Sequence, residues 1–145
     1  AARLAMTDTH FANPNGLTHP DPYSTARDMA KLARHAMTER AFRDIVDTAK
    51  APVRWTLPAG KVRMVENTNE LLGRYDGMNG IKTGWTSAAG GCLAASAQRG
   101  GLELIAIVMQ AESPEARFTD ARKLLDYGFD NFTVLLFQDV QTKIL

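Results

Sequence analysis

Lys82, Thr83 and Gly84 stand together in the stretch Gly80-Ile81-Lys82-Thr83-Gly84-Trp85-Thr86, a pattern suited to gripping an anionic peptide end. Successive side chains of a strand point to opposite faces, so the lysine and threonine do not crowd one another. A glycine next in line leaves room for another backbone to come close. A lysine fixed in a partly desolvated cleft anchors anions well. Taken alone, the triplet is a weak signal. Lys82 then reads more readily as a surface lysine, Thr83 as a residue suited to strands, and Gly84 as a bulge glycine.

The other reactive side chains form no second constellation. His10, His19 and His35 have no metal-like spacing and join no cysteine or carboxylate cluster. They read as loop or helix-face residues, and no cofactor is expected. Cys92, between Gly91 and Leu93, reads as a small buried hydrophobe. A lone cysteine also excludes an internal disulfide framework. Asp8 and Asp21 fall in turn-rich sequence and are expected to cap turns.

Several elements are needed to position Lys82. Residues 7 to 23 are loop-like, with turn chemistry at Asn13-Pro14-Asn15-Gly16 and His19-Pro20-Asp21-Pro22. A helix follows. Thr25 and Asp28 fit a capping box, Ser24 competes as N-cap, and Met29, Leu32, Ala33, Ala36 and Met37 form one apolar stripe. Arg27, Lys31, Arg34 and His35 then make a solvated face. A second short helix begins at Thr38 or Glu39, with Phe42, Ile45 and Val46 expected inside.

Val53 to Leu57 and Val62 to Val65 read as short extended pieces about a Pro58-Ala59-Gly60 turn. After Asn67-Thr68-Asn69 come three strands: Met78 to Thr86, Cys92 to Ala97 and Leu102 to Met109. The last two are joined through Gly100-Gly101. A final helix starts at Ser113-Pro114-Glu115, with Phe118, Ala121, Leu124, Leu125 and Phe129 as its core face. Val134 to Phe137 opens another strand or a linker. Helices, an antiparallel meander and a closing helix predict an α+β architecture in which helices cover an antiparallel sheet.

Bulk properties agree with one globular domain. The chain has 145 residues, about 45% apolar and 23% charged, with no internal repeat or low-complexity segment. A net charge of +1 predicts no electrostatic attraction to nucleic acid. No run reaches the roughly 20 apolar residues of a membrane span, and Ala1 to Met6 lacks the pattern of a signal peptide.

The segments MTDTHFANPNGL and YSTARDMAKLAR, the long run NTNELLGRYDGMNGIKTGWTSAAGGCLAASAQRGGLELIAIVM and the closing ARKLLDYGF together resemble one family over residues 1 to 132. It is the serine D-alanyl-D-alanine carboxypeptidases, the low-molecular-mass penicillin-binding proteins. The resemblance implies part of a β-lactamase/transpeptidase-like fold. It also implies removal of the terminal D-alanine of peptidoglycan stem peptides through an acyl-serine, sensitivity to β-lactams and an extracytoplasmic location. Lys82 would be the catalytic lysine facing the nucleophile. Thr83 would donate to the substrate carboxylate and Gly84 would let the peptide lie alongside. The Trp85 backbone N–H would complete the oxyanion hole, and Arg117 would reach a carboxylate. Asn67 and Asn69 match a family turn and read as structural.

The family's Ser-x-x-Lys and Ser-x-Asn motifs are not found. Ser24, Ser87, Ser96 and Ser113 are followed three places on by Arg27, Gly90, Arg99 and Ala116. The expectation is therefore that residues 1–132 form the C-terminal portion of the catalytic domain, inactive alone, and that 133–145 begin a linker or following segment. Without the serine-bearing helical region an apolar surface should lie uncovered, which favours self-association or pairing with the N-terminal half. The rival reading is a non-catalytic relative that binds muropeptides or a partner.

Overall fold

The computed structural model describes residues 1–135. A 3-10 turn at Ala2–Leu4 leads into the loop, whose one backbone bridge joins His10 to Tyr23. Helices α1 (Ala26–Ala36) and α2 (Arg40–Val46) precede a two-stranded hairpin of β1 (Lys50–Arg54) and β2 (Val62–Glu66). A three-stranded sheet follows, β3 (Met78–Thr86), β4 (Gly90–Arg99) and β5 (Leu102–Ala111), antiparallel throughout in the order β3-β4-β5. Helix α3 (Ala116–Asn131) closes the described chain. Val134 and Leu135 lie outside any element, and the rest of the strand or linker expected from Val134 to Phe137 falls outside the described residues.

The sheet is packed on two sides. Leu93, Ala95, Ala97, Ala106 and Val108 meet Phe118, Ala121 and Leu125 of α3 in the larger core. Ile81, with Ala94, Ile105 and Ile107 at its margin, meets Ala33, Met37 and Val46 of α1 and α2 in a smaller one. Alternation along β4 supplies both faces from a single strand. The β4–β5 turn uses Gly100 and Gly101 at φ 53° and 83°, values that a side chain would disfavour in both places.

The helix starts are chemically specified. Thr25 caps α1, its Oγ1 accepting from the Asp28 N–H at 3.2 Å. The reciprocal half of the expected capping box does not form. Instead the buried Asp28 carboxylate accepts from the Asp8 N–H at 2.9 Å, Thr9 Oγ1 at 2.9 Å and Lys31 Nζ at 2.8 Å. The Lys31 partner holds the Asp28 carboxyl below its ordinary range, against the opposing effect of burial. Lys31 is thus part of a loop-to-helix lock and not of a solvated face. At α3 the Ser113 Oγ accepts from the Ala116 N–H at 3.0 Å, so the serine caps the helix although regular turns begin at Ala116.

Five further expectations need correction. The first strand lies at Lys50–Arg54, not at Val53 to Leu57, because Trp55 to Gly60 form the turn that lets it pair with β2. Ile45 is 71% exposed and Leu124 50% exposed. Each follows the apolar periodicity of its helix but falls on the side away from the sheet. Cys92 is half-buried and lines an open cavity. No turn bond from the Asp8 carboxylate forms. Its loop is held by its N–H on Asp28, while Asn13 and Asn15 accept from Gly16 and Leu17.

Candidate active site: the exposed edge of β3

β3 is an edge strand, so one row of its backbone groups faces no strand among the described residues. It reaches that position by a sharp local route. Gly80 adopts φ 151°, and a Cβ there would sit 2.9 Å from Val46 Cγ2, so only glycine lets the strand pass this close to α2. The register against β4 is irregular between Met78 and Gly80 and regular beyond it, pairing Lys82 with Ala94, Thr83 with Leu93 and Gly84 with Cys92. Gly84 is therefore not a bulge glycine. It is exposed and its ladder is regular, so its surroundings leave space for a chain alongside.

Burial along the triplet alternates as strand geometry requires: Lys82 exposed, Thr83 buried, Gly84 exposed. The Lys82 ammonium donates to the Thr83 carbonyl at 2.5 Å and has no carboxylate partner among the described residues. Thr83 Oγ1 shares a hydrogen bond of 2.6 Å with Thr68 Oγ1. Trp85 is exposed opposite Gly91.

Arg117, 35 residues beyond Lys82, is brought to the same strand. It occupies the first turn of α3, and its Nη1 donates to the Gly84 carbonyl at 2.9 Å. Its guanidinium lies 4.8 Å from the Phe118 ring centroid, while its Nε is buried with no hydrogen-bond partner among the described residues. The strand thus carries Lys82 outward and the guanidinium beside Gly84, two cations within one extended stretch.

A turn not read as functional from sequence supports this edge from behind. The buried Asn69 donates through Nδ2 to the Gly80 carbonyl at 2.9 Å and accepts from the Leu71 N–H at 3.2 Å. Asn67 Nδ2 donates to the Val46 and Thr48 carbonyls at 3.1 and 3.3 Å, tying the same turn to the end of α2. Between them Thr68 projects its hydroxyl onto Thr83. Both asparagines hold this turn in place, as the structural role expected of them requires. Thr68 was missed because nothing in its spacing says that it meets a strand 15 residues away.

Two further clamps fix β3. Glu103 of β5 accepts from both Arg43 Nη groups, at 2.5 and 2.9 Å, and from Asn79 Nδ2 at 2.9 Å, so α2, β3 and β5 meet on one carboxylate. Arg43 holds the Glu103 carboxyl below its ordinary value. Before β3, Tyr75 donates to Asp126 of α3 at 2.7 Å. Burial, with that bond second, pushes its phenol up to about 12. A cavity of about 600 Å³ opens beyond Thr86, between the N-terminal loop and the β3–β4 turn. It does not include Lys82. Among the described residues no three His, Cys, Asp or Glu side chains gather as a metal site.

An antiparallel sheet between helices, with Lys-Thr-Gly on its open edge strand, defines the transpeptidase-like class of penicillin-binding folds. The sequence pattern of the D-alanyl-D-alanine carboxypeptidases matches residues 1–113, and the chain belongs to that family. It is 36% identical over 132 residues to the D-alanyl-D-alanine carboxypeptidase DacF of Bacillus subtilis, covering 91% of this chain and 33% of the relative. A D-alanyl-D-alanine carboxypeptidase of a Streptomyces species is 37% identical over 132 residues, with 89% and 45% covered. The crystal structure of a Streptomyces DD-transpeptidase superposes with a TM-score of 0.83 at 37% identity, over 89% of this chain and 50% of that one. Penicillin-binding protein D2 of Listeria monocytogenes, in its ampicillin-bound form, superposes with a TM-score of 0.77 at 32% identity, over 88% and 52%. The chain therefore spans one third to one half of the length of these relatives.

Proposed function

We propose that this chain is the substrate-gripping part of a serine-type D-Ala-D-Ala carboxypeptidase that removes the terminal D-alanine of peptidoglycan stem peptides and is inhibited by β-lactams. The observation that carries the reading is the open edge of β3, where Lys82, Thr83 and Gly84 lie in regular register with Arg117 donating to the same strand. A stem peptide adds to that edge as one more antiparallel strand, its backbone pairing with β3 beside Gly84. The Lys82 ammonium turns from the Thr83 carbonyl to the substrate, holding the terminal carboxylate and steering proton transfer. Thr83, with Thr68 ordering its hydroxyl, donates to that carboxylate.

In the reaction a serine oxygen adds to the carbonyl between the two D-alanines. The Trp85 N–H and the serine's own N–H bear the developing oxyanion, the terminal D-alanine leaves as its protonated amine, and water then hydrolyses the ester. That serine is outside the sequence at hand, because none of its serines stands in Ser-x-x-Lys or Ser-x-Asn. On this reading residues 1–132 are the C-terminal portion of the catalytic domain and bind without cleaving. They work paired with a serine-bearing N-terminal half, outside the cytoplasm where stem peptides lie. Left unpaired, they self-associate.

Fluorescent penicillin tests the reading on a polypeptide that joins this chain to its serine-bearing half. Covalent labelling is expected, and Lys82→Ala should slow it by about 100-fold or more, the scale of a lost proton-transfer group. Labelling of Lys82→Ala at the unaltered rate would remove Lys82 from the chemistry. The missing Ser-x-x-Lys favours one second reading, a muropeptide-binding relative without catalysis. Saturable binding of an acyl-D-Ala-D-Ala peptide, with no penicillin adduct in any longer form, selects it.

A further inference from the structure

We propose that the β1–β2 hairpin is a membrane-contact finger that docks the protein on an anionic lipid surface. The inference stands on the hairpin alone and does not depend on the reaction assigned to β3. β1 and β2 pair with each other from Lys50↔Glu66 to Arg54↔Val62, and the ladder continues through the Trp55 N–H, which donates to the Lys61 carbonyl at 2.9 Å. No residue of either strand is buried. Trp55 and Leu57, at and beyond the last pair, are 47% and 83% exposed, and Val53, Val62 and Met64 are exposed beside them.

Charge is distributed as an interfacial element needs it. Residues 50 to 66 hold Lys50, Arg54, Lys61 and Arg63 against the single acid Glu66, a net +3 in a chain whose total is +1, so all other residues together carry −2. Lys50 and Glu66 neutralise each other at the base of the hairpin, at 2.7 Å. Among the described residues Arg54, Lys61 and Arg63 make no ion pair, and Lys61 instead lies 5.3 Å from the Trp55 ring centroid. The distal part, 53 to 63, therefore combines aliphatic and indole surface with three cations and no carboxylate of its own.

The pattern is wrong for a hairpin meant to lie against protein. Register puts Lys50, Pro52 and Arg54 on one face with Met64 and Val62, and Ala51 and Val53 on the other with Val65 and Arg63. Both faces mix apolar groups with cations, so neither could be buried in a core without stranding a charge. At a membrane interface the mixture is favourable. Tryptophan settles at headgroup depth, aliphatic side chains enter the acyl boundary, and lysine and arginine stems extend back to the phosphates. Leu57, Val53 and Val62 would gain nothing from a glycan, and a second copy would bring the same +3 against itself.

Vesicle co-sedimentation tests this with the 145-residue chain. Binding to vesicles of about one-third phosphatidylglycerol in phosphatidylcholine should exceed binding to pure phosphatidylcholine by about tenfold or more, on the scale of three juxtamembrane cations. It should fall with added salt, and Trp55 emission should shift to the blue in a Trp85→Phe background. Lys61→Glu with Arg63→Glu should abolish the preference for anionic vesicles. Trp55→Ala with Leu57→Ala should weaken binding by about tenfold, while circular dichroism and light scattering stay unchanged because the hairpin supports no core. Equal binding to both vesicle types, or wild-type binding by the two double variants, overturns the proposal. So does a self-association that the hairpin variants abolish, which would assign the finger to a second copy, or retention on sacculi with no affinity for vesicles.

Discussion

β1–β2 and β3–β4–β5 are both antiparallel and both mix apolar with polar residues. Yet β4 buries Gly91, Leu93, Ala95, Ser96 and Ala97, whereas every residue of β2 is exposed. The difference lies in what each sheet offers a helix. β4 alternates small and aliphatic residues cleanly enough that α3 packs on one side and α1 and α2 on the other. The hairpin carries a cation on each face, and among the described residues no side chain of either strand is buried. Backbone pairing alone does not make a core, since a two-stranded hairpin is marginal without a face to bury. The central sheet is held in place by packing and therefore can position chemistry, whereas the hairpin is free to serve as a surface.

The sharpest way to break this contrast is to cut the core under the sheet. Leu125→Ala should cost about 3 to 4 kcal/mol in urea unfolding, since Leu125 is fully buried against the sheet in the larger core. A cost below about 1 kcal/mol would mean that α3 does not hold the sheet. Next is Asn69→Ala, which removes the donor to the buried Gly80 carbonyl and the acceptor of the Leu71 N–H. About 2 kcal/mol is expected. The amide of Ile81 should also exchange faster with deuterium, since β3 loses its rear support.

The Arg43–Glu103 clamp predicts that part of the pH dependence of stability comes from the central sheet. The Glu103 carboxyl titrates below its ordinary value of 4.5 when folded, because Arg43 stabilises the ionised form. Its contribution is therefore complete above about pH 4.5 and is lost as the pH falls below that value, through the folded pKa. Glu103→Gln should lower stability by about 1 to 2 kcal/mol at neutral pH, a charge-assisted pair discounted for its partial exposure. It should also flatten the acid limb of the stability curve. An unchanged acid limb would show that other carboxylates control it. The smallest effect belongs to the hairpin: Trp55→Ala should change the unfolding free energy by less than about 0.5 kcal/mol, as for an exposed side chain outside any core. A larger loss would mean that the finger packs on the body.

Much of the central sheet is legible in the residues. Met78 to Thr86 is β3 to the residue, and the Gly100-Gly101 turn joins β4 to β5 as its composition requires. The cap chemistry of Thr25 and Ser113 is likewise local and visible. Ile45 and Leu124 misled because helical periodicity gives a stripe but not the width of the surface that covers it. Asp28 fits a capping box locally, but the fold supplied better partners in Asp8, Thr9 and Lys31. Arg117 was a nomination that rested on resemblance, and the fold sets it on the Gly84 carbonyl.

By itself the sequence determined the family, the α+β order of elements, the strand that bears Lys82-Thr83-Gly84 and the alternation that turns Lys82 out and Thr83 in. Each depends on neighbours a few residues apart, through strand period, turn composition and capping. Only the tertiary structure decided which partners complete that strand: Thr68 on Thr83, Asn69 behind Gly80, Arg117 on Gly84 and Glu103 across three elements. These contacts join residues 11 to 60 positions apart, so they exist only once helices and strands have packed. Packing alone also left the β1–β2 hairpin outside the core, because its alternating pattern of charges gave no helix a face to cover.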